Sequence, residues 1–132
     1  MPYIHRVRVR YGECDMQQIV FNANYMAYCD DAMETWFQDV GMRMVDHDWD
    51  FMLKKATIEW QGTATVHDEI DIAVGVERWG RTSFDVGFTG TVDGRPVFSC
   101  AITYVGVKAG SRETMPPPPA VRQLMDAPAR PS

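Results

Sequence analysis

Chemistry built on clustered thiols or imidazoles finds little to work with in this chain, whose 132 residues include three cysteines and three histidines. Cys14, Cys29 and Cys100 form no CxxC pair and are odd in number, which suggests neither a disulfide framework nor a zinc site. His5, His47 and His67 lie far apart without HExxH spacing, so a metal has no ligand set to build on. The expectation is therefore no metal, and the free thiols fit a reducing cytoplasm. No apolar run approaches the roughly 20 residues that a membrane-spanning helix needs, and the N-terminus does not read as a signal peptide. Excess positive charge is missing too: 13 basic against 18 acidic residues leave a formal charge of −5. That argues against nucleic acid or an anionic membrane as the main partner.

What is present is a patterned globular chain, 45% hydrophobic and of a length that supports one core rather than two. From Tyr3 to Tyr11, residues Tyr3, His5, Val7 and Val9 alternate with Arg6, Arg8 and Arg10, as in a half-buried strand. From Asn24 to Val40, residues Tyr25, Tyr28, Cys29, Ala32, Trp36 and Val40 recur at helical spacing. Asn22 or Asn24 is placed to cap that helix, and Gly41 to end it. A second strand is expected from about Lys54 to Val66, bent at Gly62, followed by strands around Ile70–Val76, Phe84–Val92 and Pro96–Val107. Asp93-Gly94 signals a hairpin between the last two. Beyond residue 110 the Pro116–Pro119 run points to a largely irregular tail, giving a domain over 1–110 and a tail over 111–132. One strand, one long helix and four strands make an α+β architecture.

The residues between the first strand and the helix, Arg10 to Tyr28, read RYGECDMQQIVFNANYMAY. They resemble the signature of the 4-hydroxybenzoyl-CoA thioesterase branch of the hotdog-fold family, and the likeness covers most of residues 3 to 107. The resemblance implies a curved antiparallel sheet wrapped around one central helix, in the order β-α-β-β-β-β. It also implies that Asp15 is the catalytic carboxylate. Thioester hydrolysis needs such a group to attack the carbonyl or activate water, with donors for the oxyanion. The amides near Asn22 to Asn24, at a helix start, are the candidate donors, with Asn22 the first choice.

Other candidate substrate contacts follow from the same likeness. Asp30 shares a helix face with Met26, Met33 and Phe37, and its counterpart in the 4-hydroxybenzoyl enzyme contacts the ring hydroxyl. Asn24 and Tyr25 open the helix, and Tyr25, Tyr28, Trp36 and Trp49 are aromatic enough to line an aryl pocket or simply to fill the core. Trp79-Gly80-Arg81-Thr82-Ser83-Phe84 resembles a Trp-Arg-Arg-Lys-Ser-Phe stretch that holds the coenzyme A nucleotide in that enzyme. Arg81 and Ser83 match, and a guanidinium and a hydroxyl suit phosphate oxygens. Gly80 and Thr82 depart from the pattern, as do Gln17 and Gln18, which stand where small residues are usual.

The resemblance thus implies a cytoplasmic acyl-CoA thioesterase acting on an aryl- or short/medium acyl-CoA, with coenzyme A as part of the substrate and no separate cofactor. Hotdog subunits generally pair with active sites at the interface, which implies a homodimer or a dimer-of-dimers tetramer. Two alternatives stand beside it: a non-catalytic binder of acyl-CoA or acyl carrier protein, and a hotdog hydratase or dehydratase. The hydratase would need a histidine with an acidic partner, and no histidine is near Asp15 in the sequence.

Overall fold

A computed structural model describes residues 3–126. Five antiparallel strands, β1 (Tyr3–Arg8), β2 (Trp49–Trp60), β3 (Glu69–Trp79), β4 (Ser83–Val92) and β5 (Arg95–Lys108), form one sheet in the order β1-β3-β4-β5-β2. The long helix α1 (Asn24–Asp39) lies against one face, and a short helix α2 (Pro119–Asp126) follows the sheet. This is the expected hotdog arrangement of a helix held by an antiparallel sheet.

The period of two along the strands decides which side chains meet α1. Ile70, Ile72 and Val74 of β3, Phe84, Val86 and Phe88 of β4, and Phe98, Cys100, Ile102 and Tyr104 of β5 are all buried. They pack in one cluster with Tyr25, Tyr28, Cys29, Ala32, Met33, Trp36 and Phe37 of α1. Each large apolar side chain buried this completely contributes about 1.5–3 kcal/mol, so the helix is held by its apolar stripe. Gly41 closes it in the left-handed conformation at φ 75°, and the Met42 amide donates back to the Phe37 carbonyl at 2.9 Å. Asp93 and Gly94, with φ of 51° and 78°, make the tight β4–β5 turn.

Three expectations shift. β2 begins at Trp49, five residues ahead of Lys54, and ends at Trp60 instead of bending at Gly62. A Cβ on Gly62 would lie 2.8 Å from the Pro96 carbonyl oxygen, so that glycine marks a close crossing of chains just after the strand. The expected irregular tail carries α2, whose Val121 and Met125 are buried in the core; residues 127–132 of that tail lie outside the described residues. β1 stops at Arg8, and a single 3-10 turn occupies Tyr11–Glu13. Among the described residues no helix is long and apolar enough to cross a membrane.

Candidate active site

The chain leaving β1 first ties itself to the start of β3. The Val9 amide donates to the Asp68 carbonyl at 2.8 Å, and the His67 amide returns to the Val9 carbonyl at 2.9 Å. After the 3-10 turn a small hairpin forms: Asp15 N–H donates to Ile19 O at 3.0 Å, Gln18 N–H to Asp15 O at 2.9 Å, and Phe21 N–H to Glu13 O at 3.0 Å. The hairpin is stitched in turn to residues 64–66, through Val20 N–H to Ala64 O at 2.9 Å and Val66 N–H to Gln18 O at 3.2 Å. Asp15 sits at the head of this hairpin with an exposed side chain, one carboxylate oxygen accepting the Gln17 amide at 2.8 Å. Gln18, whose carbonyl accepts the Val66 amide, and His67, the next residue, both have left-handed backbones at φ 65° and 73°. A glutamine rarely adopts that conformation, and such strain collects at functional sites.

The returning arm of the hairpin runs straight into α1. Ala23, not an asparagine, occupies the N-cap position, and no side chain caps the helix. Asn24 instead turns its side-chain amide back to the Glu13 carbonyl at 2.8 Å. The Asn24 and Tyr25 amides donate to Phe21 O and Asn22 O at 2.9 and 3.3 Å. Among the described residues the amides of Asn22 and Ala23, just ahead of α1, have no hydrogen-bond partner, which keeps both as candidate oxyanion donors.

Tyr25 is 2% exposed and packed against Tyr28, Phe98 and Trp60, so its ring is core. Tyr28, Trp36 and Trp49 are buried as well. Asp30 lies on the exposed side of α1 but borders an apolar cavity of about 340 Å³ lined by Met33, Phe37, Met42, Phe51 and Tyr104, with Glu34 and Gln38 at its edge. Desolvation by these walls pushes the Asp30 carboxyl above its ordinary range. The cavity is large enough for an aromatic ring.

Arg81 and Ser83 are elsewhere. β1 and β3 pair Arg8 with Glu69 at the Asp15 end of the sheet, whereas Trp79 pairs with Phe84 at the other end. The 11 residues of β3 between these ends span roughly 35 Å at strand rise. Arg81 is exposed beyond that far end, on the turn that Gly80 N–H closes to Ser83 O at 2.7 Å. One chain therefore gathers Asp15 with the free helix-start amides and sets the nucleotide-clamp candidates apart from them.

Sequence order also hid a histidine. His67 reaches the Asp15 hairpin through the 64–66 seam, but its Nδ1 faces the Arg8 guanidinium at 3.1 Å rather than a carboxylate. The His5 ring does pair with Asp31, at 2.8 Å, tying β1 to α1. Neither residue lines the cavity beside Asp30. Among the described residues no three His, Cys, Asp or Glu side chains converge as a metal site requires.

Comparison with known proteins agrees with this architecture. A protein of Aquifex aeolicus (strain VF5), provisionally named an esterase, is 28% identical over 91 residues, which are 67% of this chain and 71% of that one. The 1,4-dihydroxy-2-naphthoyl-CoA thioesterase from Synechocystis superposes with a TM-score of 0.85 at 14% identity, covering 95% of this chain and 96% of that one. A gentisyl-coenzyme A thioesterase superposes with a TM-score of 0.80 at 23% identity, covering 92% of this chain and 98% of that one. At these identities the two structures share the fold with this chain. The model of the thioesterase-like superfamily matches residues 9–125, from just past β1 through the buried face of α2, and the chain belongs to that superfamily.

Proposed function

We propose that this protein is a cytoplasmic acyl-CoA thioesterase, hydrolysing its substrate to a free acid and coenzyme A with Asp15 as the carboxylate that attacks the carbonyl or activates water. The observation that carries the reading is that an exposed carboxylate and two unpartnered helix-start amides occupy one hairpin. Along its ladder Asn22 stands three positions beyond the Asp15 pair, about 10 Å of backbone, a gap that a thioester group and a carboxylate side chain fill. The amides of Asn22 and Ala23 receive the oxyanion as it forms, aided by the positive end of α1. The thioester is itself the activated bond, so the reaction draws on no separate cofactor.

The cavity beside Asp30 is the acyl site in this reading, its apolar walls suiting an aryl group and its carboxyl suiting a hydroxyl on that group; Phe51 and Tyr104 place it toward the Arg81 end, so it serves the Asp15 hairpin of a partner subunit. Arg81 and Ser83 hold the nucleotide of coenzyme A, and a second subunit brings them within reach. β2 is an edge strand whose outer side is unpaired, with Met52, Leu53 and Trp60 about half exposed. Such an edge is a template for pairing with another chain, and two-fold symmetry is the usual way to close it. Antiparallel pairing of β2 with its own copy reverses the sheet ends, so the Arg81 turn of one protomer comes to the Asp15 end of its partner.

The test is thiol release from benzoyl-, hydroxybenzoyl-, phenylacetyl- and aliphatic CoA thioesters. Asp15→Asn is expected to lower turnover by about 10²–10⁴-fold while leaving folding and substrate binding in place. A mutant that turns over normally removes Asp15 from the chemistry, and saturable binding without any turnover by the unmodified protein favours the non-catalytic binder.

A further inference from the structure

Glu13, two residues before Asp15, is an acid that the proposed reaction does not use. Every acceptor it owns is occupied. Its Oε1 accepts the Arg10 amide at 2.8 Å and the Tyr28 hydroxyl at 3.0 Å. Its Oε2 accepts two guanidinium N–H groups of Arg10, at 3.0 and 3.3 Å. Its carbonyl oxygen accepts the Phe21 amide at 3.0 Å and the Asn24 side chain at 2.8 Å. Its own amide donates to the Arg10 carbonyl at 2.9 Å. A single residue thus joins the chain leaving β1, the returning arm of the hairpin, the first residue of α1 and, through Tyr28, the second turn of that helix. Its side chain is 18% exposed, and Tyr28 is buried at 3%.

We infer that Glu13 and Tyr28 are positioning residues, a clamp that fixes the Asp15 hairpin against the start of α1 and so sets the separation between the carboxylate and the Asn22 and Ala23 amides. The inference rests on the reading of Asp15 as the catalytic carboxylate. A carboxylate already engaged by four donor groups is poorly suited to attack a carbonyl, whereas Asp15 keeps open lone pairs at the exposed tip. The Tyr28 hydroxyl is the part of the clamp that comes from the helix body. Without it the hydrogen bonds between hairpin and helix, among the described residues, are those at the helix start around Asn24, and the Asp15 head is free to tilt.

The experiment compares Tyr28→Phe, which keeps the ring in the core, and Glu13→Gln, which keeps the side-chain shape, with the unmodified protein and Asp15→Asn. For Tyr28→Phe the expected result is a fall in kcat of about 10–100-fold, the size of effect that small misplacements produce, with KM changed by less than about threefold. Amide hydrogen exchange at Asp15 and Phe21 should accelerate by at least about tenfold while the amides of β3 and β4 keep their protection. Glu13→Gln should show the same pattern more strongly. Unchanged kcat, a loss confined to KM, lost kcat with unchanged exchange in the hairpin, or exchange that rises throughout the sheet would each overturn the clamp. If Asp15→Asn retains full turnover, the thioesterase role of Asp15 fails, and the exchange pattern still decides whether this pair holds the hairpin in place.

Discussion

Aromatic rings hold the Arg81 end of the sheet together, while at the other end the Asp15 hairpin, beyond the Tyr25, Tyr28, Trp60 and Phe98 rings, is held by backbone hydrogen bonds. At the first, Phe84 has the rings of Trp49, Phe51, Trp79 and Tyr104 at centroid distances between 5.3 and 5.9 Å. Helix α2 closes over that cluster, with the Trp79 indole donating to Asp126 at 2.9 Å and Arg122 stacked 5.1 Å from the Trp79 ring centre. At the Asp15 end the chain is ordered by amide-to-carbonyl bonds between the hairpin, residues 64–66 and Val9. Tyr11, Met16 and Phe21 are left exposed there, Met16 fully, and two residues keep left-handed backbones. Packing gives stability where the chain has rings to bury. Hydrogen bonding gives position while leaving groups open to a substrate, so the ring cluster and the Asp15 hairpin are built for different tasks.

The contrast can be broken first at the ring cluster. Phe84→Ala should lower unfolding stability by about 3–5 kcal/mol, read from urea denaturation, while Asp15→Asn leaves the midpoint unchanged. Equal losses in the two variants would mean that the ends share one structural role. The contrast is sharpened by asking whether the two ends cooperate across subunits. Asp15→Asn and Arg81→Ala, each impaired at low substrate concentration, should recover up to about a quarter of normal activity when unfolded together and refolded as a mixture. Half of the resulting two-fold dimers are then mixed, and each of those carries one intact site. No recovery would place Arg81 outside the site. The smallest effect concerns strain: Gln18→Gly should raise stability by about 0.5–1 kcal/mol, since glycine tolerates a left-handed backbone. Unaltered stability would remove strain from the description of the Asp15 end.

The strands β1, β3, β4 and β5 and the helix α1 were legible because each has one buried face, and that face writes a period into the sequence. β2 was misjudged at both ends because it is an edge strand exposed along almost its whole length, so Ala56 and Trp60 look like core positions without being buried. Helix α2 was missed because four prolines precede or open it and its buried face rests on two residues, Val121 and Met125. In the candidate site the order Glu13, Asp15, Asn22 was visible as a motif. The cap was not, since which amide stays free depends on Asn24 turning to the Glu13 carbonyl. The separation of Arg81 from Asp15 depends on strand register, a long-range property that no local window contains, and so does the arrival of His67 beside the hairpin.

The seam that joins Val20 to Ala64 has a bearing on how the chain folds. It links segments about 44 residues apart, and closing a loop of that length costs entropy before any contact compensates. The helix and the β3–β4 and β4–β5 hairpins close over short distances and can form early. Apart from α1, the Asp15 hairpin has no partner until the connection between β2 and β3 has docked, so its final geometry is among the last to be established. During refolding, recovery of the circular-dichroism signal should therefore precede recovery of turnover, and catalytic activity becomes a reporter of the final step of folding.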